Sequence, residues 1–407
     1  MMPIERFVFA FAIVAFLGHA PTMADPPPDS SEQSFYGPNS VKLDPEVPEL
    51  TFGIRDSQVS SEDELKAVVE EWQYEKAVRL AGPYVTDDVV RTLEKMAPSI
   101  VSLQIRGGNI PNWAPPHRVH FDGRGLKDLK FSSLMEFNFG FQYVDTFGAA
   151  RWDERLVAGV MMSDPSQFSE DGMAALATAP KLETVSLVDC LIRDHYLLHL
   201  ADSTHLKNLQ LAGNPLSGEG LAHLRGCREL EQLCLHGCAL TDEGLQKIPP
   251  LPNLITLDVS NNQITDAALR EISRERFPKL RQLILDRTDV TAAGLVQLKG
   301  IGPMLSIGEL RLRDEDLMFL DELSEVRALS LFRNPITDAS VVRLSRLKQL
   351  EYLDVRQTKI TQAGLDKLQS SLPECVLFKL LGPVTPPVYP GGRDAYPGMD
   401  ATPNSSE

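Results

Sequence analysis

Between Leu182 and Leu368 one pattern returns about every 24 residues: L-x-x-L-x-L-x-x-N/C/T-x-L/I/V-T-D-x-G-L-x-x-L. Copies begin at Leu182, Leu206, Leu230, Leu254, Leu280, Val326 and Leu350, and a shortened copy is read with its strand on Ile307, Leu310 and Leu312. This recurrence constrains the fold more than any other feature of the chain. A short unit with leucines at fixed spacing cannot bury its own flanks. It becomes stable only when like units stack and cover one another, which makes the molecule a solenoid whose ends need capping.

The unit from Leu230 to Ile248 shows the local logic. Leu233 and Leu235 alternate with outward residues at period two, which predicts a strand with one buried face. After Thr241 the period lengthens, with Leu245 and Ile248 on one side of a predicted short helix. Thr241 suits the N-cap, and Asp242 lies near the positive end of the helix. Gly244, echoed by Gly220, Gly294 and Gly364, lowers intrinsic helicity and predicts a close approach between helices. At the ninth position stand Cys190, Asn214, Cys238, Asn262, Thr288, Asn334 and Thr358, small polar residues able to bond the backbone of the turn that leaves the strand.

With these residues the chain resembles the leucine-rich-repeat family. Its T-D-x-G-L tail looks like that of the cysteine-containing, ribonuclease-inhibitor-like subclass and its exported bacterial relatives. The resemblance implies an α/β solenoid, a horseshoe with parallel strands on the concave face and short helices on the convex face. It also implies a binding role, with no catalytic residues, no cofactor and no metal.

Outside the clear copies, residues 1–24 read as a signal peptide: Phe7–Leu17 is wholly apolar, too short to span a bilayer, and small residues follow it. Residues 25–60, rich in Pro, Ser, Asp and Glu, read as a disordered linker. Residues 61–155 are expected to hold a capping helix, with Ser61 as its cap and Leu65, Val68, Val69 and Trp72 on one face, followed by degenerate repeats from about Val78. Within 111–161 the register is irregular, and the alternating run Phe137, Phe139, Phe141, Tyr143, Phe147 reads as a strand that fills the core. Residues 156–380 form the solenoid proper, and 381–407 a disordered Pro/Gly-rich tail.

The net charge of −16 and pI of about 5.0 argue against nucleic acid as partner, since phosphate binding needs a basic stripe. The signal peptide sets the expected location outside the cytoplasm, periplasmic or extracellular, and no second apolar stretch predicts membrane insertion after its cleavage. The five cysteines include no C-x-x-C pair, and two occupy repeat positions, which favours reduced, structural thiols. No phosphate loop, G-x-S-x-G elbow or H-E-x-x-H is present. His195, His199 and His223, with Glu219 near in register, are a weak metal constellation, and Cys234 with His236 a weak nucleophile pair.

The concave face is the better candidate. Its early units present small or polar residues such as Thr184, Ser186, Asn208, Gln210, Gln232 and Thr256. The late units are expected to present Arg311, Arg313, Phe332, Arg333, Tyr352, Asp354 and Arg356. Arginine and aromatic residues dominate interface energetics, so this patch is the expected ligand site, for a protein or peptide with an acidic segment. Two other readings stay open: a substrate-recruiting subunit of a ubiquitin ligase-type complex, and a metal-dependent enzyme using the irregular insertion.

Overall fold

The computed structural model describes residues 52–53, 61–70, 76–81, 85–106, 121–140 and 167–378. The apolar leader, most of the 25–60 segment and the 381–407 tail lie outside these residues. So do Trp72, Phe141, Tyr143 and Phe147.

The described strands form one sheet of thirteen, in chain order and parallel throughout. They are β1 (Phe52–Gly53), β2 (Ala77–Ala81), β3 (Ser102–Arg106), β4 (Glu136–Gly140), β5 (Thr184–Val188), β6 (Asn208–Gln210) and β7 (Gln232–Cys234). There follow β8 (Thr256–Asp258), β9 (Gln282–Ile284), β10 (Met304–Ser306), β11 (Ala328–Ser330), β12 (Tyr352–Asp354) and β13 (Val376–Phe378). The register places Leu209, Leu233, Leu257, Leu283, Leu305, Leu329 and Leu353 in one row, each beside the next. All are at most 1% exposed, so the expected inward leucine ladder is present and the α/β leucine-rich-repeat solenoid is the fold.

The return half of each unit is a short helix, α-helical at Glu170–Ala177, Asp242–Gln246 and Gln362–Ser371 and a tighter 3-10 turn at Asp194–Leu200, Glu219–Gly226 and Asp314–Glu322. Thr241 caps its helix as expected, accepting from the Gly244 N–H at 3.2 Å, and Ser169 and Thr361 do the same for Gly172 and Gly364. A Cβ on Gly244 would lie 2.0 Å from the Ser217 carbonyl oxygen, so the close approach is real and only glycine permits it.

Three sets of hydrogen bonds tie each unit to the next. In the first, the ninth-position asparagine closes the loop. Asn214 Nδ2 donates to the carbonyls of Leu187 and Leu211, and its Oδ1 accepts from the N–H groups of Cys190 and Ile192. Asn262 repeats this with Leu235, Val259, Cys238 and Leu240. Where the position is cysteine or threonine, Cys238 Sγ donates to the Leu211 carbonyl and Thr288 Oγ1 to that of Leu285, so the polar choice at this site serves buried backbone.

In the second set, the aspartate of T-D reaches the cap of the following unit. Asp242 accepts from both the N–H and hydroxyl of Thr265, Asp266 from those of Thr291, Asp314 from those of Thr337 and Asp338 from those of Thr361. Beyond its place near the positive end of the helix, this aspartate therefore acts between units. In the third set, the residue leaving each strand turns into the left-handed region, as at Asn261 (φ 53), Arg287 (φ 54), Glu309 (φ 56) and Arg333 (φ 54). Its N–H then bonds the next unit, Asn261 to the Asp286 carbonyl and Arg287 to that of Gly308. The left-handed backbone costs about 1–2 kcal/mol per residue, and the bond it aims offsets that cost.

The N-terminal units differ from expectation in one respect. Helix Glu62–Glu70 has Ser61 accepting from the Glu64 N–H at 3.2 Å and buries Leu65 and Val69, as predicted. Yet β1 pairs with β2, so the helix lies between two strands of the ladder, and the array starts one turn before Val78. The ladder passes directly from β4 to β5. Phe137 and Phe139 point inward from β4 and meet Phe121 and Phe168, with Phe121 edge-on to Phe139 at 5.1 Å and Phe168 5.4 Å from Phe139. Four phenylalanines fill the volume that leucines fill elsewhere.

Replacing Asn262 with Leu keeps the side-chain size and strands two buried N–H groups. The expected loss is about 2–4 kcal/mol in urea unfolding, against about 1–2 kcal/mol for Asp266→Ala at the surface clamp. Wild-type stability in Asn262→Leu would show that the loop does not depend on this amide.

Candidate binding surface

On the sheet face opposite the core, the third, fifth and seventh residues of each unit form a grid of side chains. Neighbouring strands stand about 4.8 Å apart, close enough for adjacent small residues to cover one another. Thr184, Ser186, Asn208, Ser260, Gln282, Ser306 and Ser330 are accordingly buried although they belong to the outward face. Among the described residues the grid is therefore mostly a floor of small polar side chains, with Val188 and Ile284 as partly open apolar members.

At its centre the side chains interlock. The His236 Nδ1 atom lies 2.7 Å from the Ser260 hydroxyl, which donates to Asp258; Cys234 Sγ lies 3.6 Å from the same carboxylate. Burial, reinforced by Asp258, pushes the Cys234 thiol well above its usual range, so it is a thiol and not a thiolate nucleophile. Burial also lowers the His236 value, with Arg287 adding to the effect and Asp258 opposing it. Asp286 accepts from the Ser306 hydroxyl and the Gly308 N–H, but burial outweighs both bonds and raises it to about 7. Asp189 is raised to about 7 by burial as well.

The late patch is rearranged relative to expectation. Phe332, Tyr352, Asp354 and Arg356 do lie on this face, but Arg311 and Arg313 do not. The ladder pairs Leu305 with Leu283 and Leu329, so the shortened unit begins at Gly302 and its strand is β10. Arg311 stands in the turn after it, in the left-handed region at φ 63, and Arg313 is at the N-cap of Asp314–Glu322, its N–H donating to Asp316. The misreading has a physical origin. Ile307, Leu310 and Leu312 occupy the sixth, ninth and eleventh places, whose +3, +2 spacing copies that of the first, fourth and sixth, while Gly302 carries no side chain to mark the true start.

The remaining arginines are already engaged. Arg356 forms a two-pronged bond with Asp354, Nε to Oδ1 at 2.7 Å and Nη2 to Oδ2 at 2.6 Å, and both side chains are buried. Arg333 bonds Gln357 and approaches Glu309 at 3.5 Å. Both guanidiniums flank the Phe332 ring, at 5.0 and 5.5 Å from its centre. What this end presents is an aromatic and apolar corner: Phe332 and Tyr352 half-buried, Val376 exposed beside Tyr352, and Phe378 beside Asp354. Val376 and Phe378 follow the last recognisable copy, so the repeat pattern does not single them out.

On the helix side, His199 and His195 both meet Glu170, at 3.1 and 3.7 Å, while Glu219 pairs with Lys247. Among the described residues no group of three His, Cys, Asp or Glu side chains is placed to hold a metal ion. All five cysteines are free.

Parts of the chain are similar to known proteins. The leucine-rich-repeat sequence model matches residues 202–224 and 251–273. An internalin C2 from Listeria monocytogenes aligns at 22% identity over 51% of this chain and 84% of that chain, with a TM-score of 0.36. A further Listeria internalin, inlF, aligns at 17% identity over 79% of this chain and 94% of that chain, with a TM-score of 0.39. No curated protein matches the sequence.

The two raised carboxylates make stability fall with rising pH. Between about pH 4, the unfolded carboxylate value, and pH 7 the folded chain holds more protons than the unfolded one. Their contribution is complete below that window and lost above it. Asp194 and Asp314, lowered by the bonds they accept in spite of burial, act oppositely and lose their contribution only as pH falls below about 4. Thermal midpoints at pH 5 and pH 8 should therefore differ less in Asp286→Asn than in wild type; equal differences would refute the assignment.

Proposed function

We propose that the chain is an exported, non-catalytic scaffold that binds a protein or peptide through the concave face, anchored at the corner of Phe332, Tyr352, Val376 and Phe378. The observation that carries this reading is the clustering of those four partly exposed apolar side chains at one end of a mostly polar floor. Aromatic residues held on rigid strands lose little freedom on binding, and Phe332 is held further by the two guanidiniums beside it. The buried Asp354–Arg356 pair holds the floor beneath the corner, which makes it a positioning element and not a free charge for the ligand. Export is supported by the apolar run Phe7–Leu17. Among the described residues no helix is long and apolar enough to cross a membrane.

The test compares Phe332→Ala and Tyr352→Ala with Lys247→Glu and Arg270→Glu on the helix side. Partners recovered by the wild-type chain from the extracytoplasmic fraction should bind each aromatic variant about tenfold or more weakly, roughly 1.4 kcal/mol, and the helix-side variants unchanged. Thermal midpoints check that each variant is folded. Undiminished binding by folded Phe332→Ala and Tyr352→Ala would exclude the corner as the anchor.

A further inference from the structure

The fifth residue after each helix cap faces solvent and forms a row along the helix side of the molecule. Caps at Thr265, Thr291, Arg313, Thr337 and Thr361 place Arg270, Val296, Met318, Val342 and Asp366 in this row. Helices of neighbouring units pack together, so these side chains stand in line, about 8–10 Å from one unit to the next. The middle three are apolar and open to solvent, Val296 at 44%, Met318 at 65% and Val342 at 54% exposed. Leu198, in the same row, is exposed as well but stands alone, with Ala222, Gln246 and Arg270 between it and the stripe.

Exposed apolar side chains on consecutive units mark a contact surface, and the order of the row identifies what covers it. Turned end for end, the row sets valine against valine, methionine against methionine, and each terminal charge against its opposite. Asp366 accepts from the Gln362 amide at 2.6 Å, and neither Asp366 nor Arg270 forms an ion pair among the described residues. Charges beside the stripe are already matched, Lys299 with Glu322 at 3.0 Å and Arg343 with Asp321. Ala293 and Ala339, one turn nearer the helix starts, are small and exposed, so the stripe stands clear of them. Glu315, between them, comes against those matched pairs when the row is reversed.

We propose that this stripe is the contact of an antiparallel dimer formed with a second copy of the chain. A twofold axis through Met318 brings Met318 against Met318, Val296 against Val342 and Arg270 against Asp366, a self-complementary arrangement. The two helix sides curve away from each other, so apolar contact is made at the centre and the long arginine side chain spans the wider gap at each end. Three apolar side chains per copy place the contact at the small end of specific interfaces, which sets a reversible dimer with a Kd on the order of tens of micromolar. At a net charge of −16 two copies repel at long range, so the attraction has to be local. The concave face of each copy stays open. The dimer and the aromatic corner therefore act independently, and Arg270→Glu splits the one while leaving binding at the other as it was.

Sedimentation velocity of the purified chain from about 5 to 500 μM, in about 0.15 M salt, tests this. The chain should shift from monomer to dimer across that range. Met318→Glu should weaken the dimer about tenfold or more, and Leu198→Glu, outside the stripe, should leave it unchanged. Arg270→Glu and Asp366→Arg should each weaken it about fivefold or more alone, yet an equimolar mixture of the two should recover wild-type affinity to within about twofold, because each end of the mixed pair again holds opposite charges. Thermal midpoints check that each variant is folded. A wild-type chain that stays monomeric at the highest concentration, or a folded Met318→Glu that dimerises as wild type does, overturns the stripe as a self-contact. A mixture no tighter than either charge variant alone overturns the antiparallel arrangement.

Discussion

The structure depends on satisfying the backbone of the loops between stacked units. Parallel strands bond one another directly, but the turns that leave them run into the interior, where an unpaired N–H or carbonyl costs about 1–3 kcal/mol. Three recurring devices meet this need: the polar residue at the ninth position, an amide in three of the units, the aspartate that grips the next threonine, and the left-handed residue that aims its N–H forward. Leucine burial supplies the drive to stack, and these bonds set the offset between units. A leucine row alone would tolerate sliding; Asn262, wedged between the carbonyls of Leu235 and Val259, does not.

The same constraint shapes the outward face. Because the ladder holds neighbouring strands close, small polar side chains satisfy one another and leave little for a ligand, as with His236, Ser260 and Asp258. The exception is the C-terminal corner, where Phe332, Tyr352, Val376 and Phe378 are too large or too apolar to be covered by their neighbours.

Much of the architecture was legible in the sequence, since a period of 24 residues with leucines at fixed spacing has one economical solution. The inward faces, the threonine caps and the glycine contacts were all readable from single units, because each is a short-range consequence of local spacing. The site was less legible. An ion pair between Asp354 and Arg356 was readable from their spacing on one face, but that the pair is buried beside Phe332 depends on tertiary packing. Arg311 and Arg313 were misplaced because two stretches of one unit share the same leucine spacing. Glu170 was not singled out as the partner of His195 and His199, because a contact between neighbouring helices is set by how the units pack.

What the sequence determined alone is the kind of object: a stack of strand and helix halves with a leucine interior, since periodicity dictates which side of each element must leave water. What only the tertiary structure decided is which charges are free. An arginine reads the same in a sequence whether it faces a ligand, caps a helix or lies buried against an aspartate. The difference is set by packing between units, which brings together residues 20 to 30 positions apart at distances no local pattern encodes.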